Sequence, residues 1–209
     1  MFYILIMNFN KILSVVLAGG KSKRFGEDKS QAKLAGKLLI DYILSELIDE
    51  FNEVLIVTNN SIKHMYSDKI TKITDVKQNH GPLGGIFSAM KWVKDNKKSY
   101  KWIASFPADT PLFKIDIFKN FLNKINEKES ELFFMKTDKK RHNIFGLWSI
   151  DLIDQLEKDL ENGSRKVEKW ANNIGVKTIN MSFEKDDSFF NINTKEELEK
   201  AKKILDDQL

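Results

Sequence analysis

The 209 residues include 34 lysines and arginines and 30 aspartates and glutamates, a formal net charge of +4, and 42% are hydrophobic. That apolar share supports one sizeable core, and charges interleaved along the chain describe a solvated surface rather than a nucleic-acid stripe. With no cysteine, disulfides, thiolate metal sites, iron–sulfur clusters and a cysteine nucleophile are excluded, and His64, His80 and His142 are too scattered for a zinc site.

The opening MFYILIM is apolar but too short to span a membrane, and it lacks the basic flank of a signal peptide. Residues 1–10 are therefore expected to be a ragged N-terminal extension of a single domain over 1–209, in the cytoplasm, with no membrane or nucleic-acid partner. The first strand is predicted at ILSVVLA (12–18), followed by VVLAGGKSKRFGEDKS, in which Gly19 and Gly20 end the apolar run. Adjacent glycines leave backbone N–H groups bare, and Lys21, Lys23, Arg24 and Lys29 add cations, a combination suited to a phosphate chain. Arg24 has the planar fork that matches phosphate oxygens. Both G-x-G-x-x-G and G-x-x-x-x-G-K-[ST] are missing here, which argues against a dinucleotide oxidoreductase and a P-loop ATPase.

From Ile40, the residues Ile43, Leu44, Leu47, Ile48 and Phe51 recur at helical spacing. Strands are predicted next at VLIVT (54–58) and KITKI (69–73), the latter followed by Asp75. The loop GPLGGIFSAM, residues 81–90, opens a helix at Pro82, where small residues would let a ring or ribose approach the backbone. WIASF (102–106) is the next strand, and SFPADTPLF places Asp109 between Pro107 and Pro111 just beyond it. A carboxylate there, facing a cationic phosphate loop, provides the oxygen that magnesium takes from protein while phosphate and water fill its octahedron. Further strands are predicted at 131–135, 143–149 and 176–181. Helices are predicted at 114–125, 150–161 and 165–173, and a last one begins behind the Thr194/Glu197 capping box.

Strand and helix taking turns predict right-handed βαβ crossovers and an α/β fold: a doubly wound, mostly parallel Rossmann-like sheet flanked by helices. In such sheets ligands sit at the carboxyl ends of the strands. Seven of the ten glycines fall between positions 19 and 85, where that edge would lie.

Taken together, VVLAGGKSKRFGEDKS, GPLGG, PADTP, GSRKVEKW and FFNINTKEEL resemble the molybdenum cofactor guanylyltransferases, within the nucleotide-diphospho-sugar transferase type of fold. The resemblance covers nearly the whole chain. It implies transfer of GMP from GTP to the phosphate of molybdenum-molybdopterin, with release of pyrophosphate and formation of the guanine dinucleotide cofactor. Carried over, Leu17, Ala18, Gly19 and Gly20 hold the nucleotide by their backbone, Lys29 meets its phosphates beside Arg24, and Asp75 contacts the guanosine. Gly81 and Pro82 complete that wall, Asp109 binds Mg2+, and Arg165, Lys166, Asn191 and Asn193 serve the acceptor and its phosphate.

The resemblance further implies transient contact with other cofactor-biosynthesis proteins and recipient apoenzymes. The family's asparagine at the end of its second strand aligns with Val57, and Asn59 is its nearest substitute, so base recognition at that edge is open. The same fold also serves cytidylyltransferases acting on a pterin cofactor, an isoprenoid or a sugar phosphate. A non-catalytic, GTP-responsive cofactor-delivery module is the reading from outside enzymology.

Overall fold

Ile12–Leu17 forms strand β1, buried on both faces, as a near-continuous apolar run dictates for the middle of a parallel sheet. The computed structural model describes residues 8–19, 32–181 and 186–207. After β1 come a short hairpin of β2 (Lys33–Leu34) and β3 (Lys37–Leu38), helix α1 (Leu39–Leu47), β4 (Val54–Val57) and β5 (Ile70–Ile73). Helix α2 (Pro82–Asp95), β6 (Trp102–Pro107), α3 (Ile115–Leu122), β7 (Leu132–Lys136) and β8 (Arg141–Ser149) follow. The chain continues through α4 (Ile153–Glu161), α5 (Val167–Ile174), β9 (Lys177–Asn180) and α6 (Lys195–Asp206).

Seven strands make one sheet in the order β5-β4-β1-β6-β8-β7-β9. Only β8 runs against the rest, pairing antiparallel with β6 and β7. Successive strand residues face opposite sides, so each strand feeds two cores. Ile12, Val16, Val54, Ile56, Ala104 and Phe106 join the α1 and α3 side chains on one face. Leu13, Val15, Leu55, Val57 and Ile103 join those of α2, α4 and α5 on the other. This is the doubly wound arrangement the alternation predicts.

Three local departures matter. The β2–β3 hairpin was not predicted; its turn places Ala35 (φ 46°) and Gly36 (φ 83°) in left-handed conformations, as two-residue hairpins require. Phe9, assigned from the sequence to a ragged extension, lies in a 3-10 turn over Phe9–Lys11 and packs its ring 5.1 Å from that of Phe51. Between Phe134 and Met135 the register with β8 shifts: Phe134 pairs with Gly146 but Met135 with His142. Asn143, Ile144 and Phe145 therefore bulge out of β8, at the end of the sheet where β6 also finishes.

Candidate active site

The carboxyl ends of β1, β4, β5 and β6 are tied to one another by main-chain bonds. Ala18 N–H donates to Val57 O (3.0 Å), Thr58 N–H to Ile73 O (3.0 Å) and Ala108 N–H to Leu17 O (3.2 Å). The Thr58 hydroxyl adds a bond to Ala18 O. The strand ends thus form a rigid floor, and above it lies a cavity of about 570 Å³.

Leu17 and Gly19 at the end of β1, Asn59 after β4, Asp75 after β5, Gly81 and Pro82 at the start of α2, and Asp109 after β6 all line this cavity, as does Asn191. Residues predicted from six separated stretches therefore meet in one place. Asp109 is steadied through its backbone, whose carbonyl accepts Ile192 N–H at 2.9 Å. The same bond draws the NINT segment to the β6 edge and delivers Asn191 to the cavity. Asn193 takes a different part: its N–H, with that of Thr194, donates to the Glu197 carboxylate in the capping box of α6. The predicted asparagine pair is thus split between cavity wall and helix cap.

The loop after β5 is organised around Asp75. Its Oδ1 accepts from Lys77 N–H (3.0 Å) and from the Ser88 hydroxyl (3.1 Å), while Ser88 Oγ accepts Val76 N–H (2.9 Å). Asn59 Oδ1 accepts Asp75 N–H (3.1 Å), joining the loops after β4 and β5. This closeness explains GPLGG at α2: a Cβ at Gly84 would collide with Lys77 O and sit 3.1–3.2 Å from both Asp75 oxygens. One at Gly85 would stand 2.8 Å from Leu17 Cδ2.

Arg165 and Lys166 are exposed and precede α5, which starts at Val167 rather than at the predicted 165; Lys166 is its N-cap. Neither belongs to the cavity wall, yet their segment borders it: His80 Nδ1 is 3.3 Å from Ser164 O, and Arg165 O is 3.6 Å from where a Gly81 Cβ would be. Gly20, Arg24 and Lys29, with Lys21 and Lys23, lie outside the described residues. Sequence reasoning missed Asn60, Gln78 and Asn79, which line the cavity, and Ile144, which the β8 bulge brings to it. The run of polar residues in NNS and KQNHG, each after a strand, was the available signal for the first three; nothing marked Ile144.

No group of three or more histidines and acids converges among the described residues. The Asp109 carboxylate, with the Asn191 amide on the same wall, suits Mg2+, which draws most of its ligands from phosphate and water, better than a metal that wants a full protein cage. Tyr100, the phenol pushed up to about 12 by burial and by the adjacent Glu53 carboxylate, precedes β6 and so belongs to the opposite edge of the sheet.

Residues 14–174 match the model of the MobA-like NTP transferase domain. The chain belongs to that family. It is thus a nucleotidyltransferase enzyme. It is 26% identical over 193 residues to the molybdenum cofactor guanylyltransferase of Nitrobacter hamburgensis, covering 91% of this chain and 92% of that one. It is equally close, 26% over 208 residues, to the protein of the same name from Brucella ovis, covering 93% and 92%. The solved structure of molybdopterin-guanine dinucleotide biosynthesis protein A from Archaeoglobus fulgidus superposes with a TM-score of 0.71 at 21% identity, over 93% of this chain and 99% of that one. That likeness extends the shared fold. Among the described residues, no helix is long and apolar enough to cross a membrane.

Proposed function

We propose that this nucleotidyltransferase moves GMP from GTP to the terminal phosphate of molybdenum-molybdopterin and releases pyrophosphate. An acceptor phosphate oxygen attacks the α-phosphorus of GTP, a new P–O bond forms there, and the bond to the bridging oxygen breaks with its electrons leaving on pyrophosphate. The observation that carries this reading is the single cavity joining Asp109, the β1 glycine turn and the loop after β5, in a chain whose curated relatives bear the guanylyltransferase name.

The attacking phosphate is already an anion, so no strong base is required, and the chemistry consists of aligning two polyanions and neutralising the leaving group. Leu17, Ala18 and Gly19 present the backbone at the end of β1 to the nucleotide. Arg24 and Lys29 are assigned to the phosphates of the leaving group. Asp109, with Asn191 beside it, would hold Mg2+, which when bound supplies charge neutralisation across the phosphates. Asp75 addresses the guanosine, Asn59 orders Asp75, and Gly81 and Pro82 keep the wall thin. Arg165 and Lys166 stand at the rim where an anionic acceptor would arrive. Asn193 secures the segment that carries Asn191.

Losing one preorganised charge-stabilising contact typically costs roughly 3–4 kcal/mol, about a hundred- to a thousandfold in rate. Asp109→Asn should therefore lower acceptor-dependent pyrophosphate release at least about a hundredfold with the fold intact. Near-normal release at saturating GTP and magnesium would remove Asp109 from this role. Acceptor-dependent release also separates the enzyme from a delivery module, and preference for CTP would point to a cytidylyltransferase.

A further inference from the structure

Beyond β4 and β5 the cavity is lined, besides Asn59, by the primary amides of Asn60, Gln78 and Asn79. The side chains of Gln78 and Asn79 are exposed and make no hydrogen bond among the described residues, where Asn60 bonds through its backbone N–H to Thr58 Oγ1. Their neighbours are committed: Asn59 Oδ1 to Asp75 N–H, and Asp75 Oδ1 to Lys77 N–H and Ser88. Among the described residues Asp75 Oδ2 accepts no hydrogen bond. The unspent polar capacity at this end is thus a set of amide donors and acceptors plus one carboxylate oxygen.

Position decides what these groups meet. In the order β5-β4-β1-β6, β5 lies three strand spacings from β6, roughly 14 Å. A triphosphate anchored at the β1 turn and Asp109 places its base toward β5. A primary amide alone is ambivalent, because it donates to a ring carbonyl or accepts from a ring amino group with equal ease. A carboxylate only accepts, so it pairs with the N1–H of a 6-oxopurine and repels the N1 lone pair of adenine.

We propose that Gln78 and Asn79 set the base preference, donating from their amides to O6 and N7 of a 6-oxopurine whose N1–H is taken by Asp75 Oδ2. This rests on the reading of GTP as the nucleotide donor. Asn79 has a left-handed backbone (φ 67°), which asparagine tolerates and glycine adopts freely. Asn79→Gly therefore removes the amide without straining the loop.

The test is the magnesium-dependent dissociation constant of GTP, ITP, ATP and CTP for the wild type and for the Gln78→Ala/Asn79→Gly double variant. The wild type is expected to bind GTP and ITP alike, since both carry O6 and N7, and both more tightly than ATP. The double variant is expected to lose roughly 10- to 100-fold for GTP and ITP with ATP unchanged, the discrimination typical of a bidentate base contact. If the wild type prefers GTP and the double variant keeps its GTP-to-ATP ratio, the inference is overturned and the proposed function stands. Equal loss for all four nucleotides also overturns it, as damage to the loop. If the wild type does not separate GTP from ATP and CTP, the inference and the guanylyl reading fall together.

Discussion

Gly84→Ala tests whether the loop after β5 is held by contact with α2. The added methyl collides with Lys77 O, a backbone atom that cannot turn aside, and presses on both Asp75 oxygens at 3.1–3.2 Å. Overpacking of this kind costs about 2 kcal/mol. Relief requires the loop to lift from α2, which weakens the bonds of Ser88 to Asp75 and of Val76 N–H to Ser88, each a net contribution of about 1 kcal/mol. Alanine in place of glycine within a helix returns about 1 kcal/mol. The net expectation is a loss of about 2–3 kcal/mol in urea unfolding, accompanied by weaker stabilisation by GTP in a thermal-shift assay, because Asp75 and Gln78 move with the loop. Gly85→Ala is the contrast: its methyl meets the end of the flexible Leu17 side chain, 2.8 Å away, and should cost under about 1 kcal/mol. A Gly84→Ala protein as stable as the wild type, binding GTP equally well, would refute the argument that this glycine exists for the close approach.

Arg165→Ala should raise KM for the acceptor by roughly tenfold while leaving GTP binding intact, as expected of an exposed cation facing an anionic substrate; equal damage to both substrates in steady-state kinetics would count against an acceptor role. Ser105→Ala should lower stability by at least about 2 kcal/mol in denaturant titration, since the Ser105 hydroxyl accepts the buried Trp148 Nε1–H at 2.7 Å and donates to Ile144 O. Loss of under about 0.5 kcal/mol there would mean both partners find substitutes.

The α/β fold was legible because its central parallel strands β1, β4 and β6 are buried and read as apolar runs, with the helical periods of α1 and α2 falling between them. All seven sheet strands were located within two residues of their ends. The β2–β3 hairpin escaped because two-residue strands show no period, and the antiparallel sense of β8 because buried strands look the same in either direction. Residues at strand ends were legible as a site through glycine, proline and aspartate, whose backbone demands are local. Asn191 depended on the bond from Ile192 to Asp109 across the sheet edge, and the family motif pointed to it where spacing could not. Ile144 was illegible, since a three-residue bulge is set by pairing with β6 and β7 rather than by its own sequence. Gln78 and Asn79 looked like ordinary loop polarity until the cavity placed them on its wall.

The central claim is that the cavity joins GMP to a pterin phosphate. Incubation of the purified protein with molybdenum-molybdopterin, magnesium and GTP, followed by mass analysis, should show the guanine dinucleotide cofactor together with one pyrophosphate for each molecule formed. Unchanged pterin with intact GTP, or a dinucleotide formed in preference from CTP, would contradict it.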